Sequence, residues 1–81
     1  MPADDLEAIL AFERQWLNRD RTRGGYDRAV RERFGVSATT HTLRLHALLD
    51  DPRAVAADPV TVRVLRERRR RASKQRSVRL G

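Results

Sequence analysis

The last sixteen residues of the chain contain the side chains with the clearest chemical signal. Residues 66–81, RERRRRASKQRSVRLG, hold seven Arg and one Lys against one Glu, whereas residues 1–65 hold ten Arg and ten acidic residues. The net charge of +7 therefore lies entirely in this basic segment (residues 66–81). Guanidinium groups bind phosphate oxygens in pairs, and neutralising phosphates releases condensed counterions. The segment predicts contact with a polyanion; the alternative is a solvated end that keeps a small protein soluble.

The predicted phosphate contacts are the cationic side chains of the basic segment. They are Arg66, Arg68, Arg69, Arg70, Arg71, Lys74, Arg76 and Arg79.

A second group of predicted contacts lies in the middle of the chain, on the outward side of a helix expected over residues 38–49. At 100° per residue, the apolar residues of this helix leave a polar side exposed. The predicted DNA contacts of this group are Ser37, Thr39, Thr40, Leu43, Arg44 and His46, with Arg44 at the rim. Thr hydroxyls donate to bases and Leu43 suits a thymine methyl group, but few Arg, Asn or Gln are present to discriminate base edges. Weak sequence specificity is therefore expected.

Other kinds of site are disfavoured by residue spacing. His41 and His46 lie about 140° apart around a helix, so they cannot jointly hold one metal ion, and a His beside an apolar face is typical of a packed, hydrogen-bonded residue. Residues 4–5 and 50–51 are adjacent Asp pairs that suit helix capping better than acid–base catalysis. Residues 24–25, Gly-Gly, lack the Lys-Ser/Thr sequel of a phosphate loop. We predict no enzymatic activity, no metal and no cofactor.

Helical periodicity extends over most of the chain and predicts an all-α bundle of four or five short helices. The expected helices run from Asp4 or Asp5 to about Asn18, from about Tyr26 to Phe34, from about Ala38 to Leu49, through a short turn after Pro52, and onward from Pro59. The predicted inward residues of the first three are Leu6, Ile9, Leu10, Phe12, Trp16, Leu17, Tyr26, Ala29, Val30, Phe34, Ala38, Leu45, Leu48 and Leu49. In the last helix, Val60, Val64 and Leu65 are expected to pack on the body. Beyond Leu65 the apolar periodicity ends, so projection into solvent or fraying is expected.

The turn between the second and third helices has the form of a helix-turn-helix. Gly35 tolerates a positive φ, Val36 supplies an apolar anchor for the turn, and Ser37 is an N-cap for the next helix. Such a unit over about residues 26–49 presents its second helix to a DNA major groove. A plain helical corner with a glycine cap is the alternative.

The size and composition allow one domain. A body at residues 1–65 and the basic segment at 66–81 are expected, and the core must come from apolar packing because no Cys is present. No apolar run approaches the roughly 18 residues of a membrane span, and the N-terminus lacks the pattern of a signal peptide. A cytoplasmic location, at the nucleoid, is expected.

A family resemblance covers about 70 residues of the chain. The stretches LAFERQW, RERFGVSAT, LLDDPRAVAADPVTVRVLRERR and RSVRLG resemble a family of short, Arg-rich proteins of GC-rich bacteria that is catalogued as a domain of unknown function. The resemblance implies a small helical protein with a helix-turn-helix-like centre and transfers no activity.

Three functions are consistent with these features. The first is non-enzymatic binding of double-stranded DNA with low specificity, by a nucleoid-associated or regulatory protein that could act as a homodimer. The second is an interaction module that binds a transcription component or another acidic protein, with Leu43 in the interface. RNA binding ranks third, because sequence-specific RNA recognition favours exposed aromatic residues and this chain has four aromatic residues in all.

Overall fold

A computed structural model describes residues 2–21 and 24–80 of the chain, and the side chains of residues 6–21 and 24–75. Over these residues the chain forms five helices and no strand, so the predicted all-α bundle is confirmed. The helices are α1 (Pro2–Gln15), α2 (Gly25–Phe34), α3 (Ala38–Leu49), α4 (Pro52–Ala57) and α5 (Pro59–Leu80). The caps predicted at Asp4 and Asp5 and the contacts predicted for Arg76 and Arg79 lie outside the described side chains.

Helix α1 begins earlier and ends earlier than its periodicity predicts. It starts at Pro2, a residue suited to the first helical turn, and ends at Gln15 instead of Asn18. After Gln15 the backbone tightens, since Trp16 N–H donates to the carbonyl of Glu13 (3.0 Å) and Leu17 N–H to that of Arg14 (3.4 Å). Bonds of this spacing satisfy carbonyl groups that a helix end leaves without a partner.

The turn between α2 and α3 has the two predicted caps. Gly35 adopts φ 70°, in the left-handed region, and its N–H donates to the carbonyl of Arg31 at 2.9 Å. The Ser37 hydroxyl accepts the backbone N–H of Thr40 at 3.2 Å. Helix α2 starts at Gly25, one residue before the predicted start at about Tyr26, and Gly24 at φ 86° lies at its N-terminus.

Two hydrophobic clusters form the core. The larger joins α1, α3, α4 and α5, and the smaller joins α1 and α2. The buried residues of the larger cluster are Leu6, Ile9, Leu10, Leu45, Leu49, Ala54, Val62 and Leu65, and those of the smaller are Phe12, Tyr26 and Val30. Phe34 is half-buried and packs against both clusters, so α2 and α3 are held to a common centre.

The N-terminus of α5 corrects the prediction for Val60. Val60 is 59% exposed, whereas Thr61, Val62 and Leu65 are buried and Val64 is half-buried. Asp58 explains the difference, because its carboxylate accepts the Thr61 hydroxyl at 2.6 Å and the Thr61 N–H at 3.2 Å. A hydroxyl with a partner can be buried without the cost of an unpaired polar group. The inward side of α5 therefore begins at Thr61.

Candidate nucleic-acid interface

The predicted outward side of α3 is exposed. Leu43 is 67% exposed, and Thr39, Arg44, His46 and Ala47 are exposed as well. Thr39, Leu43 and His46 line a shallow depression of about 420 Å³ that extends to Tyr26 at the start of α2. Arg44 does not line this depression. The structure thus brings together three of the six residues predicted for this group.

Ser37 and Thr40 have a structural role at the N-terminus of α3. The Ser37 Oγ accepts the Thr40 N–H and also donates to Thr40 Oγ1 at 3.2 Å. Ser37 is exposed and Thr40 is half-buried. Both hydroxyls are therefore engaged with each other in the N-cap of α3.

The first part of the basic segment contacts the helical body. Arg66 Nε donates to the carbonyl of Leu49 at 2.6 Å, and Arg68 donates to the carbonyl of Leu17 at 2.8 Å. Arg69 donates to the carbonyl of His46 at 3.2 Å and to Asp50 Oδ1 at 3.0 Å. The hydrogen bond and charge of Arg69 lower the pKa of Asp50.

The next part of the basic segment lies away from these body carbonyls. Arg70 and Arg71 are exposed and pair with Glu67 on the same helix, and Lys74 is exposed. Helix α5 continues through Leu80 and residues 70–75 are exposed on it, which agrees with the expected projection into solvent and not with fraying. A continuous helix holds the cationic residues in a fixed angular order along one rod.

A groove between α3 and α5 collects several of these cations. It encloses about 430 Å³, and its charged or titratable lining residues are Arg21, His46, Arg68 and Arg69. Leu45, Leu49, Leu65, Ala72 and Gln75 complete the lining. No acidic residue lines the groove among the side chains that the structure describes. His46 and Arg21 also line the depression over α3, so the two surfaces adjoin.

A buried carboxylate on α1 was missed in the sequence. Glu13 has a fully buried side chain that accepts hydrogen bonds from Tyr26 Oη, from His41 Nε2 at 2.8 Å and from Arg21. His41 is 1% exposed and its ring stacks on Phe34 at 5.1 Å, which confirms the prediction of a packed, hydrogen-bonded His and places it deeper than the margin of α3. Helical periodicity could have indicated that Glu13 faces inward, because it follows Leu10 by three residues and precedes Leu17 by four.

The surroundings of Glu13 keep the carboxylate ionised. Burial alone raises its pKa, but the hydrogen bonds from His41 and Tyr26 and the charge of Arg21 outweigh burial and lower the pKa below 4.5. Burial and the hydrogen bond to Glu13 raise the pKa of Tyr26, which remains a phenol that donates. Residues of α2, of α3 and of the loop before α2 therefore all bond to the carboxylate of Glu13 on α1.

Among the described residues, no group of three or more His, Cys, Asp or Glu side chains has the geometry to hold a metal ion. Within the same part of the chain, no helix combines the length and apolarity needed to cross a membrane.

The fold and the candidate interface define a small all-α protein whose excess of positive charge lies on its last helix. The chain belongs to the family described as "Protein of unknown function (DUF3263)", whose model matches residues 3–77. Comparison with curated proteins and with solved structures gave no match.

Proposed function

We propose that this protein binds double-stranded DNA with low sequence specificity, as a nucleoid-associated or regulatory protein of the cytoplasm. One observation carries the proposal: the exposed side of α3 and the cationic groove along α5 adjoin at His46. A surface that joins an exposed helix to a row of cations suits a ligand with a groove and a charged backbone.

The length of the cationic helix α5 also supports the proposal. Helix α5 has 22 residues and is therefore about 33 Å long, close to one turn of B-DNA at about 34 Å. Arg70, Arg71 and Lys74 are exposed on it, and their cations suit phosphate contacts. Each guanidinium group has five N–H donors. The donors that do not bond to the body would be available to phosphate at Arg66, Arg68 and Arg69.

In this proposal the pair α2 and α3 acts as a helix-turn-helix. The left-handed Gly35, the Ser37 cap and the exposed Thr39 and Leu43 support that assignment. The exposed side of α3 is poor in the residue types that discriminate bases, so most of the affinity would come from phosphate contacts.

The test is duplex binding over a salt series, measured by fluorescence anisotropy. For about five neutralised phosphates, log K should fall against log salt with a slope of roughly −4 to −5. The triple variant Arg70→Gln, Arg71→Gln, Lys74→Gln should lower the magnitude of that slope by about 2 to 3. Point variants are preferable to truncation after Leu65, because truncation also removes the contacts of Arg66, Arg68 and Arg69 with the body.

The matched control removes three positive charges elsewhere. Arg14, Arg28 and Arg53 are exposed and pair with Asp58, Glu32 and Asp51, outside the groove. Their joint replacement by Gln should leave the slope within about one unit of the parent. Equal slopes for the parent and the α5 variant would show that Arg70, Arg71 and Lys74 make no phosphate contacts.

The exposure of Leu43 favours a second candidate, an interface with a protein partner such as a transcription component. The double variant Thr39→Glu, Leu43→Glu separates the two candidates, because both positions are exposed and their replacement should preserve the fold. Weaker duplex binding at low salt supports α3 as a DNA element. Duplex affinity equal to that of the parent would remove α3 from the DNA interface and favour the protein partner.

A further inference from the structure

The groove between α3 and α5 has the properties of a preformed anion site. Its volume of about 430 Å³ lies in the range of about 300–1,000 Å³ that ligand clefts occupy. Arg21, Arg68 and Arg69 line it from the α1–α2 loop and from α5. Cations from two segments of the chain therefore meet at one cleft with apolar residues beside them.

Each of these guanidinium groups is held in place by a contact of its own. Arg21 donates to the buried Glu13 and its guanidinium carbon lies 4.7 Å from the centroid of the Tyr26 ring. Arg68 is held by the carbonyl of Leu17, and Arg69 by Asp50 and the carbonyl of His46. Orienting a long side chain before binding reduces the entropy lost when a ligand arrives.

The contacts leave unused hydrogen-bond donors and unbalanced charge. Glu13 and Asp50 are the acidic partners of Arg21 and Arg69, while Arg68 is held by a neutral carbonyl, so one positive charge is in excess. Arg21 Nε is shielded from solvent and has no acceptor within the described part of the chain.

We propose that the groove binds a phosphate group, with Arg21, Arg68 and Arg69 as its donors and the apolar Leu45 and Leu65 beside the organic part of the ligand. A phosphate monoester has a charge of about −1.5 to −2 and three acceptor oxygens, which suits three guanidinium groups better than the two oxygens of a carboxylate. His46 and Gln75 supply further polar groups at the rim.

Two sources of phosphate are compared: a free phosphomonoester of nucleotide size, which has all three acceptor oxygens, and the DNA backbone, whose diester groups have one negative charge and two non-bridging oxygens each. Only the second rests on the proposed function. The groove is therefore tested with a small ligand and a duplex in parallel, so that each proposal can fail alone.

The experiment is a titration of the ¹⁵N-labelled full chain followed by amide chemical shifts. The ligands are AMP, adenosine as the matched ligand without phosphate, and a short DNA duplex. We expect AMP, and not adenosine, to shift the amide signals of Leu45, Ala72 and Gln75. Arg68→Gln should weaken binding by about tenfold or more, the effect of a lost charge-assisted contact.

Arg63→Gln is the control variant, because Arg63 is an exposed arginine on the same helix that does not line the groove, and its replacement removes the same charge. It should change AMP affinity by less than about twofold. Arg68→Lys retains the charge without the planar fork and should also weaken binding, so the proposal remains testable if Arg68→Gln melts prematurely.

Specific shifts with AMP that depend on Arg68 establish a site for a free phosphorylated ligand. If the duplex alone shifts the same signals, and Arg68→Gln weakens duplex binding more than Arg63→Gln does, the bound phosphate is that of DNA. Shifts by neither ligand, equal binding of adenosine and AMP, or equal effects of the two variants would overturn the inference. Duplex binding that leaves the amide signals of the groove unchanged would support the proposed function and reject this site. AMP binding without duplex binding would support this site and reject the proposed function.

Discussion

At the scale of single residues, Glu13 connects several elements of the fold. A carboxylate buried without partners is costly, and this one is stabilised by a phenol, an imidazole and a guanidinium. These three donors come from α2, from α3 and from the loop before α2, so the position of each depends on the same charge. Loss of the carboxylate would leave Arg21 without its acidic partner.

We expect Glu13→Gln to destabilise the protein by about 3 kcal/mol at pH 7, since removing one partner of a buried ion pair leaves the other uncompensated. The measurement is thermal unfolding followed by circular dichroism. Glu7→Gln, on the exposed side of α1, is the matched control and should leave the melting temperature unchanged. Equal melting temperatures for the two variants would contradict a stabilising role for Glu13.

The same variant has a distinct pH dependence. The folded protein holds the pKa of Glu13 below 4.5, so the ionised carboxylate stabilises the fold above that pH, and its contribution declines as the pH falls through the lower folded value. As the pH falls below the ordinary range of a carboxyl pKa, the parent should therefore lose more stability than Glu13→Gln. Parallel stability curves for the two proteins would show that Glu13 is not the titrating group.

At the scale of elements, the caps determine where the helices begin and end. Ser37, Asp51 and Asp58 each accept a backbone N–H in the first turn of α3, α4 and α5. Gly35 ends α2 in the left-handed conformation, so the chain turns and enters α3 after two further residues. The turn between α2 and α3 thus depends on the left-handed conformation of Gly35.

Gly35→Ala should destabilise the protein by about 1–2 kcal/mol, because a Cβ is unfavourable at φ 70° even though the added atom meets nothing within 4 Å. Gly25→Ala is the matched control: Gly25 lies within α2, and its added Cβ would be 3.4 Å from the Trp16 ring, an ordinary contact. That variant should be neutral or stabilising by up to about 1 kcal/mol. Chemical denaturation measures both, and an equal loss for the two would exclude backbone strain at Gly35 as the cause.

At the scale of the whole molecule, the basic segment is divided between structure and surface. Arg66, Arg68 and Arg69 bind carbonyl groups of Leu49, Leu17 and His46, close to the C-terminal ends of α3 and α1. Cations are favourable at helix C-termini, where the macrodipole is negative and carbonyl groups lack partners. The exposed cations that follow contribute to the electrostatic field of the protein more than to its packing.

A chain that ends at Leu65 should therefore melt roughly 5 °C or more below one that ends at Arg71, because the shorter chain loses the hydrogen bonds of Arg66, Arg68 and Arg69 to the body. The longer truncated chain should melt within about 2 °C of the parent. Differential scanning calorimetry measures both. Equal melting temperatures for the two truncated chains would show that the stability of the body does not depend on residues 66–71.

The sequence alone determined the helical class, the caps at Gly35 and Ser37, most inward residues of α1 to α3, and the exposure of Leu43. These features depend on local propensity and on a period of about 3.6 residues, which neighbouring residues encode. Val60 was assigned to the inward side of α5, but Thr61 is buried there in its place. Periodicity did not reveal this because the hydrogen bond between Asp58 and Thr61 is what allows the polar residue to be buried. The Glu13 cluster and the α3–α5 groove were decided by tertiary structure, since their members lie up to 28 residues apart in the one and more than 50 in the other. Such contacts depend on how helices pack, and single-helix periodicity contains no information about which partner a buried carboxylate or an arginine meets.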